Sequence, residues 1–219
     1  MSENLQGHNI NITRTARYYT LGEPSSATEE VWFVCHGQGQ LGAYFIKHFR
    51  GIAQENRLIV APEALSRFYL DNMGGRVGAC WMTREDRLNE INDYVNYLDK
   101  LYEQVTAEIT NPNIKLQVLG FSQGVATACR WIGLGKPKPV DKFILWGGIT
   151  PPDLDLTANS IFSRLRMFLV VGDKDQFADA SVVEHEEKRL KIDNLSHQLI
   201  TYDGGHQLNI EVIKTLAEK

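Results

Sequence analysis

Cysteine is scarce in this 219-residue chain: Cys35, Cys80 and Cys129 are the only three. An odd count without regular spacing excludes a disulfide framework. Cys35 falls inside the apolar run Val31–Cys35 and Cys129 inside a helical stretch, so both read as small buried hydrophobes of a reducing compartment. Long apolar runs are missing too. No stretch approaches the ~20 residues that span a bilayer, and Met1–Asn11 is polar, without the apolar centre of a secretory signal. A cytoplasmic location is the expectation. Basic blocks are absent: 23 Lys and Arg face 27 Asp and Glu, a net charge of −4. That balance argues against nucleic acid and against anionic membrane surfaces as partners. Metal-ligand spacings are lacking as well, with no H-E-x-x-H, no paired cysteines and no Walker loop. Asp173, Asp175 and Glu184 do fall at positions 1, 3 and 12 of a calcium loop. Phe177 at a ligand position and Ala178 at the glycine position exclude that reading.

What remains is ordinary globular material, 43% hydrophobic and 23% charged, of a length that suits one domain over residues 1–219. Short apolar runs recur at Val31–Cys35, Leu58–Ala61, Leu116–Leu119, Phe143–Trp146, Met167–Val171 and Gln198–Tyr202. Such near-continuous runs read as strands of a parallel sheet buried on both faces. Helical patterns lie between them. Leu88, Ile91, Val95, Leu98, Tyr102, Val105 and Ile109 step by three or four and form one apolar helix face. Gly42–Ala53, Gln123–Leu134, Asp179–Ile192 and Gln207–Ala217 are the other helices expected, with Asp179 placed to cap the fourth. Ile10–Leu21 adds an antiparallel strand or hairpin. The alternation predicts a doubly wound α/β fold with a mostly parallel sheet. Pro62–Glu85 and Gly147–Ser160 read as long loops, the first either functional or a surface excursion.

Gly120-Phe121-Ser122-Gln123-Gly124 is a G-x-S-x-G sequence, which chance alone supplies in a chain of this size roughly 7% of the time. Its setting sharpens it: a strand candidate ends at Leu119 and a helix candidate opens at Gln123. A serine on so tight a strand-to-helix turn has a strained backbone, and small residues two positions away keep neighbouring chains clear of it. Ser122 is therefore the candidate nucleophile. A hydroxyl needs a base, and on α/β-hydrolase sheets the acid and base follow the nucleophile in sequence. Of the later histidines, His185 sits in a charged helix and His197 starts a strand. His206 lies on a Gly-Gly loop after the last strand and is the candidate general base. The acid should follow Met167–Val171. Asp175 is preferred to Asp173, which lies in the tight turn where a carboxylate more often serves turn amides; Asp203 is an outside candidate. The oxyanion hole needs two backbone N–H groups. Gln123 supplies one and Gln38, in the turn His36-Gly37-Gln38-Gly39, the other. His36 itself precedes the nucleophile and reads as structural packing under that turn.

These segments, with Ala61-Pro62-Glu63, Gly172-Asp173-Lys174-Asp175 and Gly205-His206, resemble the phospholipase/carboxylesterase family, which includes acyl-protein thioesterases. The resemblance runs from about Val31 to the C-terminus. It implies an α/β-hydrolase fold without a large cap domain, and hydrolysis of carboxylic esters or thioesters by Ser122, Asp175 and His206. It implies Gln38 and Gln123 at the oxyanion, a small-molecule or acyl-ester substrate, and no cofactor. Trp81 stands where the family often has a tryptophan near the active site, as pocket wall or as plain packing. The segment Gln176-Phe177-Ala178 departs from the family, which often has Pro and Val there. Two other readings stay open: a hydrolase of another acyl substrate (a peptidase or deacetylase), and a non-catalytic binding protein on the same fold.

Overall fold

A computed structural model describes residues 5–136, 138, 140–158 and 160–219; the first four residues of the polar N-terminal stretch lie outside it. A seven-stranded sheet runs through it in the order β1-β3-β2-β6-β7-β8-β9. Its strands are β1 (Tyr18–Leu21), β2 (Glu30–Cys35), β3 (Arg57–Pro62), β6 (Lys115–Phe121), β7 (Val140–Trp146), β8 (Arg166–Gly172) and β9 (His197–Tyr202). β1 pairs antiparallel with β3, and every other pairing is parallel. The doubly wound α/β expectation is met, and the six apolar runs are the six parallel strands. The N-terminal strand is shorter than expected: only its last four residues pair, while Ile10 and Ile12 lie exposed.

Both faces of the sheet are covered, which is why its strands carry apolar residues at consecutive positions. Val31, Phe33 and Cys35 point into a core shared with α2 (Arg87–Thr106), α3 (Gln123–Leu134) and α4 (Ala180–Ile192). Trp32 and Val34, between them, point to the opposite face, where α1 (Gly42–Phe45) and α5 (Ile210–Glu218) pack. The spacing of α2 is seen in its buried Ile91, Val95, Leu98 and Val105. Asp179 caps α4, accepting from the backbone N–H groups of Ser181 and Val182, as a side-chain oxygen at that position should. Asn209 does the same for α5, which begins three residues later than its pattern suggests.

Two expectations need correction. Gly42–Ala53 is not one α-helix: α1 lasts four residues and continues as a 3-10 helix, Ile46–Ile52. Ile46, Phe49 and Ile52 are spaced by three, so the three-residue turn puts all of them into the core. Pro62–Glu85 is not a plain loop. It folds into an antiparallel hairpin of β4 (Ser66–Tyr69) and β5 (Val77–Cys80). The inner strand β5 bridges to the turn after β2, through the pair Gln40 and Ala79.

Candidate active site

In open α/β sheets ligands gather beyond the carboxyl ends of the strands, and four of those ends converge here. β6 ends at Phe121, and Ser122 follows as the residue before α3, with φ 53° and ψ −119°. A non-glycine residue in so sparsely populated a conformation costs about 1–3 kcal/mol. The surroundings hold it there: Ser122 N donates to the Trp146 carbonyl of β7 at 2.8 Å, and the Ser122 carbonyl accepts from Val125 N at 2.9 Å. Gly124 shows why the motif needs its last glycine. A Cβ at this position would lie 2.2 Å from the carbonyl oxygen of Cys35, so any side chain would push the elbow off β2.

The candidate base and the candidate acid follow the last two strands. His206 Nδ1 lies 2.8 Å from Asp175 Oδ2, and the Asp175 side chain is buried while that of His206 keeps a small exposure. The other oxygen of Asp175 accepts from the backbone N–H groups of Phe177 (2.8 Å) and Ala178 (3.0 Å). Asp173 turns elsewhere and accepts from Gly204 N at 3.0 Å. It serves the backbone, stitching the loop of Asp175 to the loop of His206, where Lys174 N also donates to the Gly204 carbonyl. Asp203 forms an exposed ion pair with Lys174. The His206 ring packs against Phe121, the neighbour of Ser122, with centroids 4.9 Å apart. Among the described residues no hydrogen bond joins Ser122 Oγ to His206, a contact that free enzymes often tighten only around substrate.

Two residues that sequence reasoning passed over hold the histidine loop. The Tyr202 hydroxyl reaches the carbonyls of Gly205 (3.0 Å) and Gln207, and Trp146 Nε1 donates to the Gln207 carbonyl (3.1 Å). His206 is thus gripped on both sides in the chain. Nothing in the sequence marks these roles, because an aromatic residue at the end of an apolar run reads as core. Glu63, quoted in the segment Ala61-Pro62-Glu63 without a role, has one here. Its buried carboxylate accepts from Gly42 N at 3.2 Å, fixing the start of α1, and pairs with Arg17 at 2.6 Å.

The turn carrying Gln38 is braced from below and from the side. Gly37 N donates to the Gln40 side chain (2.8 Å), Gly39 N to the Ala79 carbonyl (2.8 Å), and Ala79 N to the Gln40 carbonyl (3.1 Å). Gln38 itself is exposed. Gly78 lets β5 come this close: its Cβ would stand 2.4 Å from the Gly39 carbonyl oxygen. The Gln123 side chain ties the elbow to the same hairpin, accepting from Trp81 N (3.0 Å) and donating to the Met82 carbonyl (2.8 Å). Trp81 is only 2% exposed. Its indole packs on His36 and donates to the His36 carbonyl at 2.8 Å, beneath the turn. His36 is buried, with Nδ1 at 2.7 Å from the Gly37 carbonyl and Nε2 accepting from Ala64 N at 3.1 Å. Burial lowers its pKa, so it stays neutral and structural. Beside the turn opens a cavity of about 450 Å³ with Leu41, Tyr44, Phe45, Leu70 and Val77 in its walls.

All three cysteines are free and buried. Burial pushes the Cys35 thiol up to about 12 and the Cys129 thiol up as well, which removes both as nucleophiles near neutral pH. No group of three metal-ligating side chains occurs among the described residues, and no described helix is long and apolar enough to cross a membrane.

Residues 18–218 match the family model described as Phospholipase/Carboxylesterase. No curated protein matches the chain by sequence. Among solved structures the chain is similar to esterase PE8, at 23% identity and TM-score 0.70 over 94% of this chain and 97% of that one. It is similar to acyl-protein thioesterase 2 of Zea mays, at 20% identity and TM-score 0.70 over 93% and 97%. A phospholipase/carboxylesterase from Dyadobacter fermentans aligns at 17% identity and TM-score 0.67 over 96% and 100%. At these identities the structures establish the shared α/β-hydrolase fold.

Proposed function

The chain belongs to the phospholipase/carboxylesterase family, a family of hydrolases, and from that premise we propose that it cleaves carboxylic esters or thioesters through an acyl-enzyme on Ser122. The observation that carries this reading is the Asp175–His206 hydrogen bond of 2.8 Å, delivered by two strand ends to a ring packed against the serine elbow. In the proposed reaction Ser122 Oγ attacks the acyl carbonyl while His206 Nε2 takes its proton. Asp175 holds the proton-bearing Nδ1 and balances the imidazolium. The carbonyl oxygen, now anionic, accepts from the backbone N–H groups of Gln38 and Gln123; losing one such donor costs about 3 kcal/mol of transition-state stabilisation. His206 returns the proton to the departing alkoxide or thiolate. Water, activated by the same histidine, then attacks the acyl-serine and releases the acid.

The cavity beside the Gln38 turn, with Leu41, Tyr44, Phe45, Leu70 and Val77 in its walls beside the polar Gln40, His48 and Arg76, has room for an acyl group, and the acyl-protein thioesterase among the structural neighbours supports including thioesters in the proposed substrate class. The test is Ser122→Ala. Turnover of short p-nitrophenyl esters should vanish while the circular dichroism spectrum is kept, and a fluorophosphonate should label Ser122 in the unmodified protein. Activity undiminished in the variant would sink the assignment.

A further inference from the structure

Phe177 is a large residue at the site whose place burial does not explain. It stands 75% exposed, yet its ring lies against His206 with centroids 4.8 Å apart and planes at 55°. The carboxylate that holds the histidine also holds this residue: Asp175 Oδ2 meets His206 Nδ1, and Asp175 Oδ1 accepts from Phe177 N at 2.8 Å. Two residues further on Asp179 caps α4, so the backbone carrying Phe177 is fixed at both ends. A fixed backbone aims an otherwise solvated phenyl at one partner.

That partner has a need the hydrogen bond alone does not meet. A single N–H···O bond sets the direction of the imidazole but not its plane, because the terminal torsion of a histidine is broad. The ring can swing about the Nδ1–Oδ2 line and carry Nε2 away from the serine. Phe121, from the elbow, blocks part of that swing, at 4.9 Å. Resting on the reading of His206 as the base, we infer that Phe177 is a positioning residue. Its ring, with that of Phe121, fixes the plane of the His206 imidazole and keeps water from the Asp175–His206 hydrogen bond. Small misplacements of a catalytic group cost up to ~100-fold in rate, so loss of one of two supporting rings should cost roughly tenfold.

The experiment compares Phe177→Ala and Phe177→Tyr with the unmodified protein. An exposed side chain can be cut back without unfolding the chain, and thermal melting checks this. Phe177→Ala should lower kcat on a short p-nitrophenyl ester roughly tenfold, with KM within about twofold, and slow fluorophosphonate labelling of Ser122 in step. The far-downfield proton resonance of the carboxylate-bound His206 Nδ1–H, assigned by its loss in His206→Gln, should broaden by exchange with water. Phe177→Tyr keeps the ring and should restore both readouts. Rate and resonance unchanged in Phe177→Ala would overturn the inference. So would a change in KM alone, which makes the ring a substrate wall, or a Phe177→Tyr variant as impaired as Phe177→Ala. Failure of the fluorophosphonate to label Ser122 in the unmodified protein defeats the proposed function instead; the Nδ1–H resonance needs no turnover and still decides for or against Phe177.

Discussion

At the carboxyl ends of the sheet, backbones meet so closely that a methyl group has no room, and a serine sits at a positive φ with helix α3 at its back. At the amino ends the same sheet carries charge. Arg57, at the start of β3, donates to the Ile52 carbonyl (2.7 Å), to Glu30 (2.7 Å) and, at 3.4 Å, to the Ala217 carbonyl. Lys142, in β7, donates to the Leu216 carbonyl at 2.5 Å, and Arg166, at the start of β8, to the Lys219 carbonyl at 2.6 Å. Three cations from three strands therefore answer the free carbonyls at the end of α5, where a helix leaves acceptors unpaired and its dipole is negative. One end holds a fixed geometry through close approach; the other holds a helix through paired charge. Damage at the first should appear in turnover and damage at the second in stability.

The sharpest separation should come from Arg57→Met. It removes the charge partner of Glu30, which keeps only the Trp32 indole N–H, and strands two carbonyls at a nearly buried site, so unfolding free energy should fall by about 3 kcal/mol. Turnover per folded molecule should stay as it was, as urea melts and initial rates on one sample would reveal. A loss of kcat in that variant breaks the division between the two ends. Gly78→Ala should act mainly on turnover. The added methyl wedges β5 from Gly39 and moves the Gln38 turn, so kcat/KM should drop by roughly thirtyfold, equal to about 2 kcal/mol. The unfolding transition should fall too, because the methyl meets backbone, but by less than in Arg57→Met, since the hairpin stands outside the seven-stranded sheet.

The most gradual effect is one of pH. Burial lowers Lys142 from its ordinary 10.5 to about 8. Between those values the unfolded chain keeps a proton that the folded chain has released, so folding gains stability as pH rises from 8 to 10.5 and loses it as pH falls through 8. The slope from this one group is at most about 1.4 kcal/mol per pH unit. In Lys142→Met that contribution is gone, and the stability of the variant relative to the unmodified protein should decline across the same window. A constant difference over the window would show that the amino-end lysine titrates in its ordinary range.

Much of this layout was legible in the chain. The parallel strands announce themselves as apolar runs because both of their faces are covered. The G-x-S-x-G segment is legible because so tight a strand-to-helix turn admits few residues at its flanks. Asp175 and His206 follow from the order of strand ends after the elbow, and the structure joins those two by a hydrogen bond. What stayed hidden depends on tertiary partners. The short strand β5, with a glycine inside it, carries no period strong enough to read alone and is completed by its bridge to Gln40. The three-residue spacing of Ile46, Phe49 and Ile52 fits an α-helix face nearly as well as a 3-10 turn, and the core decides between them. Tyr202 and Trp146 grip the histidine loop through main-chain carbonyls, which leave no mark on side-chain identity.

The order of the strand ends also has a consequence in time. Ser122 follows β6, Asp175 follows β8 and His206 follows β9, so a ribosome makes the proposed nucleophile long before the residue that would activate it. Chains are built at about 5–20 residues per second and fold by parts as they emerge. For several seconds a growing chain would hold its serine elbow with no histidine to deprotonate it. On the proposed mechanism the newborn protein is chemically silent until β9 takes its place beside β8 and brings His206 to the elbow.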